Sequence, residues 1–235
     1  MLAGRLEIGL NTPLLIREER LSERSDACRL LYASDIHLRR GRSAKLAAQL
    51  VNAAQNCGAD VILLGGDLVD RSSELGQLQA LVQQLVALGP VFAVGGNHDH
   101  IVGNGRVRGA VIRGGGTWIH DATTTHSFNS RVLSISGPGF KGKPDGDVRV
   151  LCGHNPRVWR TSRHAGYDLV LAGHLHGCQF VAFEFRGRLF PGAAFFPYNY
   201  LSDQFGTARL VVSRGVSDLV PIRWRCPREV VLCYV

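Results

Sequence analysis

The chain has 235 residues, of which 45% are hydrophobic and 20% are charged, the composition of an ordinary globular domain. No apolar stretch reaches the roughly 20 residues that a membrane-spanning helix needs, and the charged N-terminus does not have the apolar core of a signal peptide. The net charge of +8 comes from 24 Arg and 3 Lys, and either an anionic substrate or an Arg-rich codon usage accounts for it. We therefore expect a single cytoplasmic domain over residues 1–235.

The first predicted elements are two short β-prone segments, RLEIGL and PLLIREE, followed by a more apolar strand, RLLYASDIH. This strand ends in Asp35 and His37, after small residues that allow the backbone to turn. A helical pattern then runs from Ser43 to Gly58, with a serine as the expected N-cap and a glycine at the C-terminal end.

The next two strands end in the same way. VILLGGD ends in Asp67, a second helical pattern runs from Ser72 to Gly89, and VFAVGGNHD ends in Asn97 and His98. The alternation of strand and helix implies right-handed crossovers and parallel strands. In such sheets, ligands bind beyond the carboxyl ends of the strands.

The second half of the chain contains two more strands of this kind. They come after RVRGAVIRGGG, a predicted loop or helix end, and HSFNSRVLSISG, a predicted pair of strands. VRVLCGH ends in His154, and LVLAGHLHG ends in His174 and His176. Because a strand alternates its side chains, the last two histidines would point the same way where the strand ends. Taken alone, they fit a metal site, two histidines in a loop, or one histidine that is buried and hydrogen-bonded.

The remaining β-prone segments, QFVAFEFRGRLF and GTARLVVSRG, leave too few helices to cover both faces of one large sheet. Two stacked sheets with helices outside accommodate the pattern better. The polar endings of five strands would then meet at one edge, which favours a metal site.

The cysteines show no CxxC spacing, which indicates reduced thiols rather than disulfides or a cysteine zinc site. They are Cys28, Cys57, Cys152, Cys178, Cys226 and Cys233.

The ordered motifs resemble those of the calcineurin-like metallophosphoesterases. They are DxH at Asp35 and His37, GDxxDR from Gly66 to Arg71, GNHD from Gly96 to Asp99, GH at Gly153 and His154, and GHxH from Gly173 to His176. The GHLHGCQ variant and the C-terminal segment are similar to the bacterial small phosphodiesterases that include UDP-diacylglucosamine pyrophosphatases. The resemblance implies an α/β protein with a four-layer α/β/β/α sandwich, in which two mixed β-sheets are flanked by helices. It also implies a dinuclear metal site at the C-terminal ends of the strands.

The resemblance further implies a role for each matching residue. One metal would be bound by Asp35, His37 and His176, the other by Asn97, His154 and His174, and Asp67 would bridge the two. His98 would contact the phosphate or act as the general acid, Asp70 would orient it, and Arg71 and Asn97 would bind substrate. As alternatives, Asp70 caps the following helix and Arg71 is an ordinary surface residue.

The expected cofactors are two divalent metal ions, with Mn as the first choice and Fe, Zn, Co and Mg as alternatives. Two such ions clamp the phosphoryl oxygens and acidify a bridging water, so that a metal-bridging hydroxide attacks a phosphodiester or pyrophosphate bond. The looser resemblance implies a lipid-linked nucleotide such as UDP-diacylglucosamine as substrate.

Three alternative functions make different demands on these residues. A phosphomonoesterase of broad specificity would use the same ligands, whereas a non-catalytic scaffold would be expected to have lost some of them. A zinc peptidase or deaminase lacks its motifs here, HExxH or HxE with CxxC.

The expected partners are an anionic phosphate-ester substrate and, peripherally, the inner membrane. Membrane contact would use Arg39, Arg40, Arg42 and the aromatic run near Phe195, although a solvated loop and packing under a turn explain them as well. No long Lys/Arg run suggests a specific nucleic-acid partner.

Overall fold

The computed structural model describes residues 6–218 and 220–235. The strands are β1 (Leu6–Ile8), β2 (Leu15–Arg20), β3 (Arg29–Ala33), β4 (Val61–Gly65), β5 (Val91–Val94), β6 (Thr117–Trp118), β7 (Thr123–Phe128), β8 (Arg131–Ser136), β9 (Val148–Cys152), β10 (Leu169–Ala172), β11 (Val181–Phe185), β12 (Arg188–Pro191), β13 (Ser202–Phe205), β14 (Ala208–Val212), β15 (Ile222–Trp224) and β16 (Glu229–Tyr234). The α-helices are α1 (Ser43–Cys57), α2 (Leu75–Val86), α3 (Asn97–Val102), α4 (Asn104–Arg113), α5 (Trp159–Ser162) and α6 (Gly192–Phe195).

Most strands belong to two six-stranded mixed sheets. The first has the order β2-β16-β3-β4-β5-β6, with β3 to β6 parallel and β16 antiparallel to β3. The second has the order β13-β14-β10-β9-β8-β7, with a parallel centre and antiparallel edge strands. Because the carboxyl ends of parallel strands lie together, the five polar strand endings come to one region of the molecule.

The central strands are apolar throughout because each is buried on both faces. In β4, Ile62 and Leu64 pack toward α1, α2 and α4, whereas Val61 and Leu63 pack in the core between the two sheets. The predicted sandwich of two mixed sheets flanked by helices is therefore confirmed. On the outer face of the second sheet, the helical layer is thin and consists of α5 and short turns around Trp159.

Three local predictions need correction. Ser43 does not cap α1, because the N-cap position is Arg42 and the Ser43 hydroxyl lies 2.6 Å from the Glu74 carboxylate, to which it donates, and 3.0 Å from the Arg39 carbonyl. The second predicted helix begins with a 3₁₀ turn at Ser72–Glu74, and α2 proper starts only at Leu75. The Arg- and Gly-rich segment predicted as a loop or helix end forms most of α4. The prediction that a glycine ends α1 is confirmed, because Gly58 is the C-cap residue and has the left-handed φ of 54° that glycine favours.

Among the described residues, the helices are all too short or too polar to cross a membrane.

Candidate metal centre

The strand endings carry an unusual backbone conformation. Five of the seven predicted metal ligands have positive φ, a conformation that costs free energy for residues other than glycine and that clusters at functional sites. They are Asp35 (56°), His37 (47°), Asp67 (52°), His174 (72°) and His176 (51°). The sharp turns aim these side chains into a common space beyond the sheet edges.

Two glycines let the loops approach the carboxylates closely. A Cβ on Gly96 would lie 2.1 Å from Asp67 Oδ1, and a Cβ on Gly173 would lie 2.4 Å from Asp35 Oδ2. Glycine is required at both positions because any side chain would displace an acidic group of the site.

The first ligand group consists of Asp35, His37 and His176, whose ligand atoms lie within 4.8 Å of one another. The Nε2 atoms of His37 and His176 are 3.3 Å apart, and His176 Nε2 is 3.6 Å from Asp35 Oδ1. Asp35 and His37 are buried. The three residues match the set that the resemblance implied for one metal.

The second ligand group consists of Asp67, His154 and His174, again within 4.8 Å. His154 Nε2 lies 3.3 Å from Asp67 Oδ2 and 3.1 Å from Asn97 Oδ1. The same Asp67 oxygen is 3.8 Å from His37 Nε2. Asp67 therefore lies between the two groups, as a bridging ligand must.

Three of the four ligand histidines are oriented for metal binding by a partner on their other ring nitrogen. The Nδ1 atoms of His37, His154 and His176 lie 2.6, 2.9 and 3.0 Å from Asp70 Oδ1, the Gly65 carbonyl and the Ser217 carbonyl, respectively. An acceptor at Nδ1 holds the proton there and leaves the Nε2 lone pair free for a metal. This arrangement fits divalent metal ions with mixed nitrogen and oxygen ligands.

Both central carboxylates are ionised at neutral pH. Burial opposes ionisation of Asp67, but the hydrogen bond and charge of His154 outweigh it and lower the pKa of Asp67 to about 2. Burial likewise opposes ionisation of Asp35, and the charges of His176, His154 and His37 keep the pKa of Asp35 below its usual value. Two ionised carboxylates stabilised by neighbouring positive charge suit a pair of divalent cations, which would take the place of the imidazolium charges when the Nε2 atoms bind metal.

Asp70 contacts both a ligand and the candidate acid. Its Oδ1 lies 2.6 Å from His37 Nδ1 and 3.1 Å from His98 Nδ1, and the His98 side chain is 25% exposed. Burial opposes ionisation of Asp70, but the hydrogen bond and charge of His37 keep the pKa of Asp70 below its usual value. The 3₁₀ helix that follows has Arg71 at its N-cap position and no side-chain cap. The geometry therefore places Asp70 beside His98 rather than on the helix end.

The two strand-end histidines do not act as a pair. β10 ends at Ala172, and His174 and His176 follow in turns, so strand alternation does not set their directions. His174 joins the second ligand group and His176 joins the first. Both imidazoles therefore face the candidate metal centre, but turns after β10, and not alternation along the strand, set their directions.

The remaining predicted residues lie around the centre. Arg71 is exposed, and its role in phosphate binding stays a prediction. Arg39 donates to the Asp218 carbonyl, Arg42 is partly buried and Arg40 is exposed. Phe195 is 78% exposed, so the aromatic run is not packed beneath a turn at this residue.

Two cavities open beside the second ligand group. One of about 440 Å³ is lined by Asn97, His100, His120, His154 and His174, among others. The other, of about 240 Å³, lies between His174, Arg157 and the aromatic segment from Phe195 to Tyr198.

Sequence reasoning missed the groups that support the ligands. Asp99 accepts the backbone N–H groups of Leu68, Val69 and Gly96 at 2.9–3.2 Å, which ties together the loops after β4 and β5. The acidic residue three positions after Gly96, as in a capping box, was the available signal.

A second support lies far along the chain. The Ser217 carbonyl that accepts from His176 also accepts from Arg223 Nη2 at 3.0 Å, and Arg223 Nε donates to Asp218 Oδ1 at 2.6 Å. The only available signal was an arginine inside the β-prone segment IRWRC, too weak to have identified Arg223 as buried.

The fold and the two ligand groups define an α/β sandwich with a candidate metal centre at the strand ends. A sequence model of the calcineurin-like phosphoesterases matches residues 28–178. The chain belongs to this family and is a metallophosphoesterase, a hydrolase of phosphoric ester bonds.

Relatives and solved structures agree with this assignment. The chain is 28% identical over 218 residues to phosphodiesterase YaeI of Escherichia coli K12, covering 87% of this chain and 80% of that protein. It is 22% identical to the uncharacterized metallophosphoesterase YkoQ of Bacillus subtilis, covering 74% and 69% of the two chains. The protein TT1561 of Thermus thermophilus shares the fold, with a TM-score of 0.53, 14% identity and coverage of 81% and 91%.

Proposed function

We propose that the protein is a dinuclear metal-dependent phosphohydrolase that cleaves a phosphodiester or pyrophosphate bond. The observation that carries the proposal is the position of Asp67 between two histidine groups whose Nε2 atoms converge. The name of the Escherichia coli relative, a phosphodiesterase, supports the diester class.

The chain's residues fit two metal ions. Asp35, His37 and His176 would hold one ion, Asn97, His154 and His174 would hold the other, and Asp67 would contact both. When bound, such ions polarise phosphoryl oxygens and supply a hydroxide nucleophile at neutral pH. Mn is the first choice for both positions, with Fe, Zn, Co and Mg as alternatives.

The leaving oxygen needs a proton, and His98 is the residue we assign to donate it. Its ring is partly exposed at the rim of the centre, and Asp70 at 3.1 Å orients it. Asn97 and His98 would contact the phosphate, and Arg71 would add a contact from the exposed loop after Asp70.

The surroundings favour an amphiphilic substrate such as a lipid-linked nucleotide. The larger cavity has room for a polar head group, and the smaller one places exposed aromatic rings beside His174. A lipid-linked substrate would also bring the protein to the inner membrane as a peripheral protein. The six cysteines are unpaired, which supports a reducing cytoplasmic compartment.

Hydrolysis of matched substrates tests the proposal. Metal-stripped protein is reloaded separately with Mn, Fe, Zn, Co or Mg and assayed on a phosphomonoester, a phosphodiester and a pyrophosphate-linked nucleotide. We expect hydrolysis only with metal and faster on the diester or the pyrophosphate. Faster hydrolysis of monoesters would favour the broad phosphomonoesterase, and inactivity with every metal would favour a scaffold.

A further inference from the structure

Two small sheets outside the sandwich expose large apolar side chains. β1 pairs antiparallel with β15, and β11 pairs antiparallel with β12. The exposed residues, which we call the outer apolar face, are Leu6, Ile8, Phe180, Phe183, Phe185, Val220 and Ile222, and each is between 51% and 59% exposed. Apolar side chains grouped in this way on a surface mark an interaction site more often than scattered ones do.

Strand alternation explains how these residues come to share an outward side. Leu6 and Ile8 are exposed while Glu7 between them is buried, and Ile8 is directly opposite Ile222. In the second small sheet, Phe183 and Phe185 are two residues apart. The ring of Phe183 stacks on that of Phe190 across the strands, with centroids 4.9 Å apart.

The two small sheets form one continuous surface. Phe180 makes a β-bridge with Trp224, and their rings stack with centroids 4.5 Å apart. Arg225 Nη1 donates to the Ala182 carbonyl at 2.7 Å. The outer apolar face therefore extends from β1 to the tip of the β11–β12 hairpin.

Arginines are interleaved with the aromatic rings of this surface. Arg225 lies over Trp224 at 5.5 Å, Arg186 over Phe185 at 5.3 Å, and Arg188 over Phe190 at 5.7 Å. On the hairpin strands, Glu184 is the acidic residue beside them. Apolar rings that carry cations at their edges match the boundary between acyl chains and anionic head groups.

We propose that the outer apolar face docks the protein onto an anionic lipid bilayer. The proposal rests on the membrane contact put forward above and names its surface, which is separate from the Arg39–Arg42 loop. Two copies placed face to face would bring their arginines together, so charge complementarity favours anionic lipid over self-association.

The face is connected directly to the metal centre. His176 is followed four residues later by Phe180, and β12 leads through α6 to Phe195, which lines the smaller cavity with His174. Docking would therefore place the aromatic side of the active-site opening near the bilayer. An amphiphilic substrate could then reach the centre without leaving the lipid.

Vesicle binding of a matched pair of variants tests the proposal. The double variant Phe183→Ser/Phe185→Ser removes two rings from the face, and Phe205→Ser removes an exposed ring elsewhere that also lies under an arginine, Arg163. The probe is vesicles of phosphatidylglycerol and phosphatidylethanolamine, compared with phosphatidylcholine alone, at low and high salt. We expect wild type and Phe205→Ser to bind the anionic vesicles at low salt, and the double variant to bind about 10- to 100-fold more weakly.

Reversal of the arginine charges and the depth of Trp224 in the bilayer give two independent readouts. Arg186→Glu/Arg225→Glu should weaken binding about 10-fold or more and remove most of its salt dependence. Brominated acyl chains should quench Trp224 fluorescence in wild type, with Trp224→Phe as the control for the two remaining tryptophans. Thermal unfolding verifies that each variant is folded.

Three results would overturn the proposal. They are no binding of wild type to anionic vesicles at low salt, a loss of binding in Phe205→Ser as large as that in the double variant, or a concentration-dependent dimer that the double variant abolishes. Hydrolysis of a water-soluble diester is measured in parallel and should not change in the double variant. If that activity is absent from wild type while vesicle binding is present, the proposed function fails and the docking surface stands.

Discussion

The two ligand groups of the metal centre differ in how the protein holds them. In the first group, His37 and His176 both have an acceptor at Nδ1, and Asp35 and His37 are buried. In the second group, Asp67 and His154 are buried and His154 has the Gly65 carbonyl at Nδ1, but His174 is half-buried and lines the 440 Å³ cavity together with the exposed Asn97. Both histidines of the first group are therefore pre-organised, whereas the second group has one such histidine and faces, through His174, the space where a substrate would bind.

This difference assigns different tasks to the two halves of the centre. Ligands fixed by hydrogen-bonded partners bind metal more tightly than ligands that must be ordered on binding. We expect the first group to retain its metal and the second group to exchange its metal more readily and to contact the phosphate. Variants within each group and in its surroundings test whether the two groups differ in this way.

The largest effect should come from Asp67→Ala, because Asp67 lies between the groups. Wild type should bind about two metal ions per chain, as two-metal sites do, and the variant should lose both together with its activity. His176→Ala is the control, since it should weaken the first group and leave the second loaded. Elemental analysis of the three proteins after incubation with Mn is the measurement. A wild type that never exceeds one metal would rule out the dinuclear site.

The next effect concerns His98, which belongs to neither ligand group. If it protonates the leaving oxygen, His98→Ala should keep both metals and lose much more rate on an alkyl ester than on a nitrophenyl ester, because nitrophenolate leaves without a proton. General acid catalysis is worth about 10²–10⁴-fold. Rates on the two esters are compared at equal metal content.

Asp70→Asn extends this test because Asp70 also contacts His37. A smaller loss of the same leaving-group dependence, with metal content retained, would show that Asp70 acts through His98. Equal losses on both esters in His98→Ala would instead assign His98 to phosphate binding.

The motifs made most of the metal centre predictable from sequence. Apolar runs such as VILLGGD predict buried strands, and the parallel order of the strands brings Asp35, Asp67 and His154 to one edge. The left-handed turns that aim the ligands could not be predicted, because nothing in the composition of DxH or GHxH requires positive φ at a non-glycine residue. For that reason the directions of His174 and His176 were ascribed to strand alternation, which ends at Ala172.

The support of the first group was also beyond sequence reasoning. Ser217 and Arg223 lie 41 and 47 residues after His176 along the chain, outside the segment that carries the motifs. A buried arginine is recognisable only once its partners are known, because arginine is common on surfaces. The hairpin strands that expose Phe183 and Phe185 were predicted as strands, but not as exposed ones.

The third prediction concerns stability in acid. Glu229 is buried and accepts from Arg214 and Arg17, and its N–H donates to Gly215, which packs against Asp35. Burial opposes ionisation, but the two guanidinium groups outweigh it and lower the pKa of Glu229 below its usual 4.5. A carboxyl with a lowered pKa stabilises the fold above its unfolded pKa, and this contribution is lost as the pH falls below about 4.5.

Glu229→Gln should therefore reduce the free energy of unfolding by about 3 kcal/mol at pH 7 and by less as the pH falls below about 4.5. Urea unfolding of metal-free protein between pH 3 and pH 8 measures this. Asp60→Asn is the control, because Asp60 pairs with Arg29 in an exposed position, and a loss of less than about 1 kcal/mol is expected there. A loss in Glu229→Gln that does not vary with pH would show that packing, and not charge, is responsible.

The smallest effect is expected from Arg223, a residue that contacts neither metal position but supports a ligand of the first group only. Arg223 fixes the Ser217 carbonyl and Asp218, and that carbonyl holds the Nδ1 proton of His176. In Arg223→Gln the first group should bind Mn about 10- to 100-fold more weakly, as is usual when a partner of a ligand is removed, while the second group keeps its affinity. Competition with a chelator measures the two affinities, and ¹⁵N chemical shifts report the tautomer of His176.

Two further variants serve as controls. Arg223→Lys should restore only part of the metal affinity, since one ammonium group cannot replace a planar guanidinium group that contacts two acceptors. Arg149→Gln, which breaks a partly exposed pair with Asp168, should leave both affinities unchanged. Equal weakening of both groups in Arg223→Gln would mean that the surroundings support the centre as a whole, and the asymmetry between its halves would be lost.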